Sequence, residues 1–132
     1  MSGARRFRDY VPAGVIPATL AAFHDDLSID EASTLKHLRD VAATDGLSAI
    51  TVNGHASEVH ACSFDEQRRL LDVSLDEVGD RLPLINGVYA DGSQEAARLA
   101  RMADDAGASA LLVFPPNSMS MIPATTLIAM KT

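Results

Sequence analysis

The sequence predicts an α/β fold in which short parallel strands alternate with helices. The first observation is an internal repeat, because the segment 46–52, Gly-Leu-Ser-Ala-Ile-Thr-Val, returns as 107–113, Gly-Ala-Ser-Ala-Leu-Leu-Val. Two βα units of roughly 30 residues each account for that separation. The second observation is that the strand segments are nearly continuous apolar runs, which is typical of parallel strands covered on both faces.

The predicted elements follow the order β-α-β-α-β-α-β. Four strands are predicted, at 15–22, 47–53, 83–88 and 109–114. Three helices are predicted between them, at about 30–44, 64–78 and 94–106, each with apolar side chains along one face. In both copies of the repeat a glycine, Gly46 or Gly107, ends the preceding helix, where it supplies a left-handed backbone conformation.

Each predicted helix begins with residues that can form a capping box, in which the first side chain and the one three residues later each bind the other's backbone N–H. The pairs are Ser28 with Glu31, Ser63 with Glu66, and Asp91 with Gln94. All three pairs lie in phase with the apolar stripes, so they predict where the helices start.

Two architectures fit this order of elements: half of a (β/α)8 barrel and a doubly wound open sheet. A glycine-rich phosphate-binding turn after the first strand would favour the open sheet. The residues at that place, 23–27, are Phe-His-Asp-Asp-Leu and contain no glycine. The sequence therefore favours the first four strands and three helices of a barrel over a dinucleotide-binding domain.

The pattern divides the chain into three regions. Residues 1–13, with a small basic cluster at Arg5, Arg6 and Arg8, are expected to form a flexible N-terminal arm. Residues 14–117 carry the barrel pattern. Residues 118–132 carry one charge and no helix start, so we interpret them as an atypical tail.

The composition excludes several classes of protein. A net charge of −7 argues against a nucleic-acid partner, because phosphate binding requires clustered Lys and Arg. One cysteine, Cys62, excludes an intramolecular disulfide and fits a reducing compartment. No apolar run reaches the roughly 20 residues that span a bilayer, and the N-terminus has no signal-peptide core. We therefore expect a cytoplasmic protein without a membrane partner.

The loop after the second predicted strand, 53–62, is the richest in reactive groups. Its consecutive small residues leave backbone N–H groups available to hold an anion, although a plain connection to the next helix is the alternative. His55, Glu58, His60 and Cys62 could bind a metal, but their spacing matches no standard zinc motif, so no metal site is predicted. Cys62 could be a nucleophile at a helix N-terminus, and a packed small residue is the favoured interpretation.

Neither lysine is placed for Schiff-base chemistry. Lys36 lies in the first predicted helix and Lys131 in the tail, whereas the reactive amine would lie at the inner end of a barrel strand. The sequence predicts no catalytic residue within the chain.

Several segments carry, in order and at matching spacing, the motifs of one family of enzymes. Gly-His-Ala-Ser-Glu at 54–58 resembles the family's G-T-T-G-E, and Pro-Leu-Ile-Asn-Gly at 83–87 resembles its P-V-I-A-G. The other matching segments are 14–20, 23–30, 63–66, 106–110 and 114–115. Together these segments resemble the dihydrodipicolinate synthase and N-acetylneuraminate lyase family over about residues 14–117.

This resemblance implies a TIM barrel and a homo-oligomer that uses no cofactor. It implies class I aldolase chemistry, in which a lysine forms a Schiff base with pyruvate or a related 2-oxo acid and a carbon–carbon bond is made or broken. Carried over, the loop that binds the keto-acid carboxylate is Gly54, His55, Ala56 and Ser57, and Asn117 stands at the position of the relay tyrosine.

The chain also departs from the family. His55 and Ala56 replace both threonines of the loop, and the lysine strand lies beyond residue 132. We therefore expect a truncated lyase that is inactive alone. Its full-length parent protein is expected to act on a different 2-oxo acid from the one that dihydrodipicolinate synthase uses. A non-catalytic fragment or pseudoenzyme, and a metal-assisted barrel enzyme, are the alternatives.

Overall fold

A computed structural model describes residues 7–116 and the backbone of a strand at 126–129. Its elements in chain order are α1 (Glu31–Ala42), β1 (Ile50–Val52), α2 (Phe64–Val78), β2 (Leu84–Val88), α3 (Ser93–Ala106), β3 (Ala110–Val113) and β4 (Thr126–Ala129). The strands form one sheet in the order β1-β2-β3-β4. The first three are parallel, as predicted, and β4 runs antiparallel to β3.

The strand predicted at 15–22 is not present as a continuous strand, which corrects the prediction. This segment runs parallel to β1 but makes only isolated bridges, from Val15 to Leu47 and from Ala18 to Thr51. Proline at position 17 has no N–H to donate to a ladder. Farther along, side chains of α1 accept the backbone N–H groups: His37 Nε2 accepts from Leu20 and Thr34 Oγ1 from Ala22. Three backbone hydrogen bonds still join residues 15–19 to 48–51, so contacts with α1 replace strand pairing only at residues 20–22.

The three helices are confirmed, but two of the three predicted capping boxes are wrong. Ser63 and Glu66 make both reciprocal bonds at the start of α2. Helix α1 is instead capped by Asp30, whose side chain accepts the Ser33 N–H, while the Ser28 hydroxyl donates to Asp26. Helix α3 begins after Gly92, with no side-chain cap, rather than at Asp91. Several Ser and Asp residues lie close together before α1, so more than one of them could cap this helix, and Asp30 rather than Ser28 does so.

The sheet separates two apolar layers. The larger lies against the helices and includes Ile50, Val52, Leu71, Leu84, Leu99 and Leu111. The smaller lies on the opposite face, where Ala49, Ile85 and Ala110 are fully buried and Tyr10 and Ile16 pack against them. Ile50, Val52 and Ile85 are all buried, whereas Leu112 is half-buried.

Two features of the chain outside the helical layer bear on the predicted regions. Within the tail, residues 126–129 pair with β3 in the register Ala110 with Ala129 and Val113 with Thr126, a strand that the sequence did not predict. Within the predicted arm, the Tyr10 hydroxyl is 2.7 Å from the Ser48 hydroxyl oxygen.

Across the described part of the chain, no helix has the length and apolar character needed to cross a membrane.

Candidate functional site

The carboxyl ends of β1, β2 and β3 lie side by side, and the chain segments that follow them form the candidate site. After β1 the chain forms two single-turn 3-10 helices, His55–Ser57 and Val59–Ala61. Asn53 and Glu58, each with φ 56°, adopt the left-handed conformation that the sharp changes of direction require. The connection to α2 is therefore a pair of tight turns rather than an extended segment.

The base of the loop is a buried amide network. Asn53 Nδ2 donates to the Gln67 backbone oxygen and to Asn86 Oδ1, both at 2.8 Å. Asn86 Nδ2 donates in turn to the Gly87 oxygen at 3.1 Å. A Cβ atom at Gly87 would collide with the Asn53 carbonyl oxygen, so only glycine lets β1 and β2 approach this closely here. These contacts fix the start of the loop relative to β2.

An imidazole and two aromatic rings meet above this network. The His55 ring stacks on Phe114 with centroids 3.9 Å apart and an angle of 17° between the planes. Tyr89 meets His55 edge to face, with centroids 5.5 Å apart. His55 remains exposed while Phe114 is half-buried, so the stack orients a polar ring at the surface of the sheet's carboxyl edge.

The four predicted loop residues have different surroundings. Gly54 is buried, and a Cβ there would lie 3.8 Å from the Phe114 ring; His55 and Ala56 are exposed beside it. Ser57 is turned inward, and its hydroxyl donates to the Thr19 oxygen at 2.8 Å. The loop's own carbonyls accept the N–H groups of Ser57, Glu58 and Val59. The N–H groups of His55 and Ala56 open the first turn, where a helix has no internal acceptor.

Asn117, the fifth predicted residue, lies outside the described residues. Phe114, Pro115 and Pro116 lead toward it from the end of β3, and all three are half-buried.

The other reactive groups of the loop form neither a metal centre nor an activated thiol. Within the part of the chain that the structure describes, no three His, Cys, Asp or Glu residues are grouped as metal ligands. Burial raises the pKa of the Cys62 thiol, and the carboxylates of Glu66 and Glu58 raise it further. A raised pKa disfavours the thiolate at neutral pH, so the packed role of Cys62 fits better than the nucleophilic one.

Lys36 is remote from the site. It lies on the exposed face of α1, where its ammonium pairs with Asp40 at 2.8 Å. Lys131 lies outside the described residues.

Tyr89 and Phe114 were missed by the sequence interpretation, which concentrated on the 53–62 loop. A signal for them was present, because Tyr89 comes directly after one predicted apolar strand and Phe114 ends another. The carboxyl ends of parallel strands lie at one edge of a sheet, so residues after neighbouring strands come together there.

The parallel strands β1 to β3 and the helices between them define the class as an α/β protein. Its candidate site lies on the loops that follow the strands, where a polar loop meets aromatic residues. The model of the dihydrodipicolinate synthetase family matches residues 11–122. The chain belongs to this family.

Individual relatives agree with this assignment. The chain is 37% identical over 108 residues to 4-hydroxy-tetrahydrodipicolinate synthase of Salinibacter ruber, covering 82% of this chain and 35% of the relative. It is 36% identical over 110 residues to a Streptomyces avermitilis protein named "Probable 5-dehydro-4-deoxyglucarate dehydratase 2", covering 83% and 33%. The crystal structure of a dihydrodipicolinate synthase from Bacillus anthracis superposes with a TM-score of 0.72 at 25% identity, covering 81% and 37%. The chain thus spans about a third of the length of these proteins.

Proposed function

We propose that this chain forms the first part of a TIM barrel that binds pyruvate or a related 2-oxo acid, in a lyase of the Schiff-base-forming type. Membership of the family supports this chemistry. The position of the 54–57 loop is the observation that carries it, because the loop lies at the carboxyl edge of parallel strands, where barrels bind their substrates.

In this proposal the loop binds the substrate carboxylate. The N–H groups of His55 and Ala56 are the donors, and the His55 ring, oriented by Phe114, is a polar group beside the carboxylate. Gly54 lies beside Phe114, and Ser57 holds the turn through Thr19 rather than contacting the substrate with its hydroxyl. Asn117 is proposed to contact the substrate from the end of the 114–117 segment.

The reactive amine is proposed to lie outside these 132 residues. Lys36 is unsuited to the role, because it is exposed, ion-paired with Asp40 and on a helix rather than at the end of a strand. Incubation of the chain with pyruvate and borohydride is therefore expected to add no mass. A stoichiometric adduct on Lys36 would contradict the proposal.

Binding can be tested separately from chemistry. Titration of the 15N-labelled chain with pyruvate is expected to shift the amide signals of 54–57. His55→Ala should weaken this response severalfold, whereas His60→Ala, which alters an exposed histidine of the same loop away from the aromatic stack, should leave it unchanged. Equal losses in both variants would disprove the role of His55.

The main alternative is a non-catalytic barrel fragment or pseudoenzyme, which the replacement of both loop threonines by His55 and Ala56 favours. This alternative predicts no pyruvate-dependent shift at the loop, so the same titration separates the two.

We further propose that the chain is cytoplasmic and associates with copies of itself. The segment 15–22, with Val15 and Leu20 exposed, forms an open edge beside β1, and such edges favour pairing with another chain. Sedimentation at micromolar concentration is expected to show species larger than the 14.0 kDa monomer. A stable monomer at all concentrations would exclude self-association.

A further inference from the structure

A small polar cavity lies beneath the candidate loop, between the 15–22 segment and the first two helices. Its volume is about 10 Å³. The lining residues that carry polar side chains are Thr19, Thr34, Asn53, Ser57 and Ser74. All five are buried. A cavity of roughly this size holds a single water molecule when two to four polar groups surround it.

The Asn53 side chain is the observation that indicates a ligand in this cavity. Both hydrogens of its amide nitrogen are used, one by the Gln67 backbone oxygen and the other by Asn86 Oδ1. The reverse orientation of the amide would place its oxygen against those two acceptors, so the hydrogen-bond network fixes the orientation. Asn53 is 1% exposed, and no group of the described residues donates a hydrogen bond to its Oδ1. A buried acceptor in this state is costly unless a donor reaches it.

The hydroxyls that line the cavity can complete the site. Thr34 Oγ1 accepts the Ala22 N–H, which leaves its hydrogen available to donate. Ser57 donates to the Thr19 oxygen, which leaves its lone pairs available to accept. Ser74, 3% exposed, adds a third hydroxyl from α2. The cavity therefore presents one acceptor without a donor and hydroxyls with unused capacity for hydrogen bonds.

We propose that this cavity binds one water molecule that donates a hydrogen bond to Asn53 Oδ1 and completes its coordination with the hydroxyls of α1, α2 and the loop. Water fits better than a cation, because the lining contains no carboxylate and a metal such as Ca²⁺ requires six to eight oxygen ligands. The water joins the loop at Asn53 and Ser57 to both helices, so it is part of what positions the loop. The site does not depend on which ligand the loop binds.

Magnetisation transfer from water to amides in the 15N-labelled chain tests this proposal. Cross peaks from water are expected at the amides of Val52 and Asn53, which line the cavity, and not at Ala110, which is buried on the opposite face of the sheet. Their absence in the unmodified chain would overturn the proposal without any substitution.

Variants at Ser74 identify the source of the cross peaks. Ser74→Ala removes a hydroxyl but keeps the space, so the cross peaks should persist; their loss would assign them to the Ser74 hydroxyl and overturn the proposal. Ser74→Val fills the cavity and should abolish them. Ser109→Val makes the same change at another buried serine, which does not line the cavity, and should leave them intact. If the cross peaks change when sodium or potassium chloride is replaced by choline chloride, the cavity binds a cation instead, which contradicts the proposal.

Discussion

The two faces of the sheet are covered in different ways. Against the helices, the strands present large side chains such as Ile50, Leu84 and Leu111, which three amphipathic helices cover. On the other face the same strands present small residues, Ala49 and Ala110, together with Ile85.

Among the described residues, Tyr10 and Ile16 of the N-terminal segment pack on this second face together with Leu112 of β3. Because side chains alternate along a strand, one apolar run supplies both a thick and a thin layer. We therefore expect the helical face to supply most of the stability and the second face to tolerate a small loss of contacts better.

The largest expected difference between the faces comes from truncating one buried side chain on each. Leu71→Ala in α2 should lower the free energy of unfolding by about 2–5 kcal/mol, because it leaves a cavity in the close-packed helical layer. Ile85→Ala should cost less, since the thinner layer around Tyr10 can collapse into the space. Urea unfolding of both variants measures this order. A larger loss for Ile85→Ala would reverse the comparison.

A second test probes the close approach of β1 and β2. Gly87→Ala should destabilise the chain by roughly 1–3 kcal/mol, because its Cβ would press on the Asn53 carbonyl and separate the strands. The matched control is Gly92→Ala, where nothing lies within 4 Å of the added atom. Thermal unfolding should distinguish them, and equal stabilities would mean that the strands can move apart without cost.

A smaller effect is expected where the N-terminal segment is attached to the second face. Tyr10→Phe removes the hydroxyl that lies 2.7 Å from Ser48 Oγ and should cost about 0.5–1.5 kcal/mol. Ser48→Ala removes the other partner, so the double variant should cost less than the two single losses added together. Strict additivity in urea unfolding would show that the two hydroxyls do not interact.

The smallest effect concerns the start of α1, at the outer boundary of the helical layer. Hydrogen bonds from the N–H and hydroxyl of Ser33 lower the pKa of the Asp30 carboxyl below its ordinary value of 3.8. Because the pKa is lower in the folded chain, the ionised carboxylate stabilises the fold above about pH 4, and this contribution is lost as the pH falls further.

Asp30→Asn keeps a capping side chain but cannot titrate, so its unfolding curve should depend less on pH in this range. Asp30→Ala, which removes the cap, should instead be less stable at every pH. An unchanged pH dependence in Asp30→Asn would show that this cap does not contribute to acid unfolding.

The fold was predictable where local and repeated signals agreed. The helix at 64–78 has an apolar stripe and a capping box, and both are present in the structure. Gly107 ends α3 in the left-handed conformation as predicted, whereas Gly46 has a positive φ but lies beyond Ala43, the residue that caps α1. Prediction was only partly right at 15–22, where residues 15–19 pair with 48–51 but side chains of α1 accept the N–H groups of Leu20 and Ala22. That outcome depends on a neighbour which the local sequence does not specify.

The candidate site was predictable in part for a similar reason. The loop stood out by its composition, so His55 and its neighbours could be selected from the sequence alone. The stack of His55 on Phe114 could not, because the two residues are far apart in the chain and meet only when β1, β2 and β3 pair in register. The inward turn of Ser57 likewise depends on the position of Thr19.

The sequence by itself determined the family, the order of helices and parallel strands, and the loop that carries the candidate site. These follow from periodicity, glycine positions and ordered motifs, which are local properties of the chain. The tertiary structure decided which residues cover the second face, that residues 126–129 pair with β3, and which rings surround His55. Each of these depends on contacts between distant segments, and their energies arise only once the sheet has brought those segments together.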